Sequence, residues 1–315
     1  MTRSSATDSS RDNDTSVDPV ADHDTLPCVL SFNASDATGS GGSSSDTMVI
    51  ASVGAHALPV VTGVYLRDTR ETMGHAAIDD AAIAEQAAAV AEDIPIHTIK
   101  VGFVGSAEAV AAIAAFVSDY PSVPVIAYMP DLSWWDEDAI DQYLDAFREL
   151  LLPQTAVLVG NNATLRHWLL PESTTDRHAR PTDLARAAGE LGVSYVLVTG
   201  MPTVGDEVGN VLASAQAELF SASFERIDAG FMGAGDILSA ALAALLATGS
   251  ELIESVAEAL QYLDQALDHG FRPGMGRAVA DRLFWAESDD DAENDASSTP
   301  DPLIDIPHPS NETKH

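Results

Sequence analysis

Gly233-Ala234-Gly235-Asp236 stands directly before the apolar run Ile237-Leu238-Ser239-Ala240-Ala241-Leu242. Glycines let the chain turn tightly and bring backbone N–H groups close to a ligand. A helix opening near Asp236 adds unpaired N–H groups and the positive end of its dipole. Gly233, Ala234 and Gly235 therefore form a candidate anion hole suited to a phosphate. Asp236 can take the proton of an attacking hydroxyl, or it can cap the helix. A second Gly-rich segment, Asn33-Ala34-Ser35-Asp36-Ala37-Thr38-Gly39-Ser40-Gly41-Gly42-Ser43, follows an apolar run. It fits neither the Walker pattern nor the dinucleotide pattern. Asp36 can hydrogen-bond a substrate hydroxyl or amine, or the segment is a flexible Ser/Gly loop. Lys100, in a chain almost without lysine, faces a ligand or pairs with a carboxylate. His56, His75 and His97 lack metal-ligand spacing and read as structural, so no protein-borne metal site is expected. Trp134 and Trp135 read as local packing.

These residues need a frame. Apolar runs suited to buried parallel strands occur at Cys28–Phe32, Val60–Tyr65, Thr98–Phe103, Val123–Tyr128, Ala156–Val159 and Tyr195–Val198. Ala-rich amphipathic stretches lie between them, clearest at Asp79–Ala91, Ala107–Asp119, Asp138–Leu151 and Pro181–Leu191. This alternation predicts a parallel sheet covered by helices on both faces. Val208–Ala213 and Glu218–Phe224, with no helix between them, predict an antiparallel hairpin at one sheet edge. Helices over Asp236–Leu246 and Glu251–Leu267 follow. Ligands of such sheets bind beyond the carboxyl ends of the strands, where the Asp36 segment would lie.

The 315 residues carry 15 Lys+Arg against 49 Asp+Glu, a formal net charge of −34. A field of that sign repels nucleic acid and anionic membranes. It fits either a solvated acidic surface or adaptation to a salty cytoplasm, where screening weakens carboxylate repulsion; composition favours the second. One cysteine, Cys28, excludes an internal disulfide framework. Nothing reads as a signal peptide or a membrane span, so a soluble cytoplasmic protein is expected. Residues 1–25 read as a disordered acidic leader and 287–315 as a similar tail, leaving 26–286 as one folded domain.

The order Ala34-Ser35-Asp36-x-Thr38-Gly39-x-x-Gly42, then Asp46, Arg67-Asp68-Thr69, Lys100-Val101-Gly102 and Gly-x-Gly before a helix resembles the ribokinase-like superfamily. Within it, the chain is similar to the hydroxymethylpyrimidine/phosphomethylpyrimidine kinases of thiamine biosynthesis. The likeness covers about residues 26–286, including Gly270–Gly276 and Asp281–Trp285. It implies a three-layer α/β/α sandwich with a mostly parallel central sheet. It also implies ATP and Mg²⁺ as cofactors, a small pyrimidine as acceptor phosphorylated once and then again, and a possible homodimer. By the same likeness Asp36, Gly39, Gly42, Asp46, Arg67 and Lys100 face the acceptor, and Asn161, Thr199 and Gly200 the nucleotide. Several positions depart from the family. Arg67 replaces a ring-recognising Gln, Tyr128 a strand-end Asp, and Thr164 a Glu that helps hold magnesium water. A non-catalytic ligand-binding descendant of the fold, or a kinase for another hydroxymethyl ring such as pyridoxal, are the alternative readings.

Overall fold

A computed structural model describes residues 26–170 and 179–286. The leader 1–25 and the tail 287–315 expected from composition lie outside the described residues. Nine strands form one sheet: β1 (Cys28–Ser35), β2 (His56–Arg67), β3 (Thr72–Ala77), β4 (Thr98–Val101), β5 (Val125–Met129), β6 (Val157–Asn161), β7 (Tyr195–Pro202), β8 (Glu207–Ala213) and β9 (Glu218–Glu225). Their order is β3-β2-β1-β4-β5-β6-β7-β8-β9. The six strands from β2 to β7 across the centre are parallel, whereas β3 and the β8–β9 hairpin run antiparallel at the two edges. A short pair, β10 (Phe231–Met232) and β11 (Ala278–Val279), stands apart.

Among the described residues, eight α-helices cover the sheet: α1 (Gly42–Val53), α2 (Asp80–Ala91), α3 (Ala107–Ser118), α4 (Glu137–Ala146), α5 (Asn162–Leu169), α6 (Pro181–Glu190), α7 (Ala234–Ala247) and α8 (Leu252–Asp268). Alternation along β1 divides the core. Leu30, Phe32 and Ala34 pack with residues of α2 to α6, while Val29 packs with α1, α7 and α8. The result is the expected three-layer α/β/α sandwich. α7 is buried almost all round, and Ala240, Ala241, Ala243 and Ala244 keep its surface small enough to lie between neighbours.

Besides the short β10–β11 pair, three elements of the sandwich are additional to those expected from the sequence. α1 begins inside the segment read as a loop. Its Gly-Ser-Ser-Ser opening has little intrinsic helix preference, and burial of Val49 and Ile50 holds it in place. β3 is a mostly exposed edge strand with no apolar alternation to betray it. α5 has only eight residues. The helix expected to run to Leu151 ends as an α-helix at Ala146 and continues as a π-helical turn over Phe147–Leu151.

Candidate active site

Strand order reverses on either side of β1, because the chain places β2 on one flank and β4 on the other. That switch point is where ligands of open α/β sheets bind. Ser31 and Asn33 are alternate residues of β1 on its α1/α7 face, and Ser31 pairs in register with Lys100 of β4. Asp46 of α1 and Asp236 of α7 cover these polar groups. Lys100 Nζ donates to both oxygens of Asp46 (2.8 and 2.7 Å) and to Oδ1 of Asp236 (3.0 Å). Asn33 Nδ2 bridges the two carboxylates, donating to Asp46 Oδ2 (3.0 Å) and Asp236 Oδ1 (2.8 Å). The Ser31 hydroxyl adds a bond to Asp46 Oδ2 (2.6 Å). Backbone N–H groups of Ala34 and Phe103 donate to Asn33 Oδ1, which fixes the amide's orientation.

Asp236 Oδ2 accepts the Gly42 N–H (3.0 Å), so α1 and α7 start against each other. Gly233 lies at φ +84°, and a Cβ there would overlap the Ser40 carbonyl oxygen; only glycine combines this left-handed turn with so close an approach. The first intrahelical bond of α7 runs from Ile237 N to Gly233 O (3.1 Å). The N–H groups of Ala234, Gly235 and Asp236 stand ahead of it, free of intrahelical acceptors. Asp236 is thus no mere cap of α7: its side chain bonds Gly42, Asn33 and Lys100 rather than its own helix, and it lines a cavity of about 600 Å³. Burial would push its carboxyl up; Lys100, the Gly42 N–H and Asn33 outweigh burial and hold it below the ordinary carboxylate range. For Asp46, burial and the neighbouring Asp236 charge prevail over Lys100, and its carboxyl is raised. These contacts favour the ionised form of Asp236, the state a proton acceptor needs.

The expected acceptor residues divide into two groups. Arg67 lines the cavity, packs 4.1 Å over the Tyr65 ring and pairs with Asp36 at 2.5 Å. Asp36, Asp46 and Lys100 do not line it. They are buried beneath, because every charge they carry is met by an internal partner. Asp36 also accepts from Thr38, Ser40 and the Gly41 N–H. Burial alone would raise Asp36, but Arg67 and Thr38 bring it down to about 2. The Gly39 carbonyl accepts from Arg282, and Gly42 opens α1. These residues shape and hold the site rather than touch the cavity. Of the residues expected to face the nucleotide, Asn161 and Thr199 line the same cavity. Thr199 and Gly200 also line an adjoining recess of about 260 Å³ with Phe224, Leu260, Leu263 and Leu267. Asn161 caps α5 through the Ala163 N–H (2.9 Å). The sequence reading passed over Ser31, Asn33, Tyr65, Arg70, Phe231 and Arg277. The signal for the first two was present: polar residues at alternate positions of a buried apolar strand need partners. Trp134 and Trp135 do pack locally, against His75, Phe103 and Tyr65 or Tyr143, although Trp134 also reaches the cavity.

An α/β/α sandwich with a carboxylate beside a helix-start anion hole at its switch point defines a small-molecule phosphotransferase, a kinase. The chain belongs to the phosphomethylpyrimidine kinase family, whose model matches residues 36–281. It is 27% identical over 265 residues to a hydroxymethylpyrimidine/phosphomethylpyrimidine kinase of Streptomyces coelicolor, covering 83% of this chain and 96% of that protein. It is also 27% identical over 268 residues to a thiamine biosynthesis bifunctional protein of Geobacter sulfurreducens, covering 82% of this chain. There the chain spans about half the relative's length (53%). A Bacillus subtilis pyridoxal kinase in complex with ADP shares the fold at TM-score 0.73 and 19% identity, covering 83% of this chain and 99% of that one. A phosphomethylpyrimidine kinase of Clostridium difficile does so at TM-score 0.60 and 22% identity, covering 75% and 97%.

Proposed function

We propose that the chain transfers the γ-phosphoryl group of ATP to the hydroxymethyl group of a pyrimidine, and then phosphorylates the resulting monophosphate. The observation that carries this reading is the Asp236 carboxylate on the cavity wall, at the start of a helix whose first three N–H groups have no intrahelical acceptor. The acceptor oxygen bonds to the γ-phosphorus as the bond to the bridging oxygen of ADP breaks, and the hydroxyl proton passes to Asp236. The N–H groups of Ala234, Gly235 and Asp236 stabilise charge on the transferring group. Most of the acceleration in such transfers comes from positioning and charge stabilisation.

Trp134 and Phe231 give the cavity aromatic walls suited to a planar ring. The apolar recess beside Thr199 and Gly200 suits the adenine base. For the second phosphorylation, Arg70 and Arg277 line the cavity from two segments joined by the Arg277 N–H to the Thr69 carbonyl (2.8 Å). They offer charge to an acceptor that already bears a phosphate, and Glu71 beside them limits how much. Among the described residues no three His, Cys, Asp or Glu side chains converge as cation ligands, and position 164 holds Thr. The donor set does not fit a resident metal. Magnesium enters this scheme as part of MgATP, held by phosphate oxygens and water. No described helix is long and apolar enough to cross a membrane.

The test is ADP release from MgATP with hydroxymethylpyrimidine in high salt, beside a panel containing pyridoxal. We expect turnover with the pyrimidine, and a fall of roughly 10²–10⁴-fold in Asp236→Asn, the range for a lost general base. Turnover with pyridoxal alone would replace the acceptor. No turnover with any acceptor, alongside tight binding of the pyrimidine, would make the chain a ligand-binding descendant of the fold.

A further inference from the structure

Tyr128 occupies the strand-end position of β5, on the face beneath α7. Its ring lies so close to Gly235 that a Cβ there would overlap both ring and hydroxyl. The hydroxyl has no hydrogen-bond partner among the described residues, and Tyr128 lines the cavity beside Ala234, Gly235 and Asp236. A half-buried hydroxyl with no protein partner, beside three N–H groups without intrahelical acceptors, is free to donate to a group bound there. Tyr65 also lines the cavity, but its ring is covered by Arg67 and stacks on Phe103.

We infer that Tyr128 is a catalytic residue whose hydroxyl donates to a non-bridging oxygen of the transferring phosphoryl group, completing the hole built by the start of α7. The inference rests on the proposed phosphoryl transfer. Three features support it. The hydroxyl sits on the helix end that would hold the phosphoryl group. Burial raises its pKa, with the Asp236 charge adding to burial and Arg67 opposing it, so the group stays a protonated donor at working pH. Arg67, a cation on the same wall, already has its charge met by Asp36, so the hydroxyl adds a neutral donor beside it. Asp131 and Glu71 also line the cavity and repel that charge, which sharpens the need for donors. Tyr128 takes no proton and forms no bond; it is a hydrogen-bond donor whose contribution grows as charge gathers on the equatorial oxygens.

The experiment uses the full chain and compares wild type with Tyr128→Phe, which keeps the ring against Gly235 and removes only the hydroxyl. Wild-type turnover is measured first; if it is absent, the proposed function fails and not this assignment. With wild type active, kcat of Tyr128→Phe should fall roughly 10–100-fold, as expected for one lost donor to a charged group. The KM for ATP should stay within about twofold, because ground-state contacts are kept. Binding of ADP with aluminium fluoride and acceptor should weaken by a similar factor, with binding of ADP alone unchanged. A second readout needs no variant. In wild-type protein labelled at the tyrosine Cζ, the Tyr128 resonance should move with ADP, aluminium fluoride and acceptor but not with ADP alone. A kcat within twofold of wild type overturns the assignment. So does equal weakening of ADP and transition-state mimic, or a Tyr128 resonance indifferent to the mimic.

Discussion

Lys100→Met is the perturbation that most directly examines the buried layer beneath Asp236. Methionine nearly matches the lysine stem in length and volume, so packing survives while the charge goes. In wild type the ammonium lies within 3.0 Å of both Asp46 and Asp236, and the side chains of Lys100 and Asp46 are wholly buried. Removing it leaves two carboxylates sharing Asn33 in a water-poor space. Breaking a buried ion pair in this way costs ~3–5 kcal/mol. The pH dependence follows from the signs. Asp236 is lowered in the folded chain, so its contribution is present above its unfolded value and fades as pH falls. Without Lys100, burial and Asp46 raise it instead, so acid relieves the variant while it weakens wild type. Urea melts at pH 5 and pH 8 should therefore show the stability gap wider at pH 8. The acid limb of the kcat profile should also move to higher pH. Adding Asp46→Asn to Lys100→Met should recover part of the loss, since one lone carboxylate is easier to keep than two. A gap below about 1 kcal/mol, against the ~3–5 expected for a broken buried pair, or one independent of pH, would refute the reasoning. So would a double variant as unstable as the sum of the singles.

Gly233→Ala should lose at least ~1–2 kcal/mol from the left-handed backbone alone, and more from the clash with Ser40, read in a thermal melt. Arg67→Gln should lower stability at neutral pH. Because Asp36 is held down to about 2, that difference should close as acid titration proceeds from about pH 4 towards 2, followed by circular dichroism. Arg277→Ala should raise the KM for the pyrimidine monophosphate by more than it raises that for the unphosphorylated alcohol, in steady-state assays. Melting temperature should rise with added salt, given a net charge of −34; a flat or falling response would remove the salt-adaptation reading.

Much of the layer order was legible because buried parallel strands are short apolar runs and their helices amphipathic. The elements that escaped had neither property. α1 is dictated by tertiary packing after a Ser-rich start, and β3 is an exposed edge. The turn at Gly233 to Asp236 was readable because it is local: four consecutive residues fix it. The grip on Asp236 was not, since Asn33 and Lys100 reach it across 203 and 136 positions of chain. Lys100 stood undecided between ligand and carboxylate when only types were known; its partners decide for the carboxylates. Asp36 likewise has the type of a substrate contact, yet its oxygens are taken by Arg67, Thr38, Ser40 and Gly41.

Asp236 is held at once by the end of the first strand, the opening of the first helix and the middle of the fourth strand. A chain emerging from the ribosome, or one cut between these segments, lacks the clamp even when most of the sheet has formed. On the proposed role of Asp236, assembly and competence for transfer are one event, and a half-made molecule does not spend nucleotide on water.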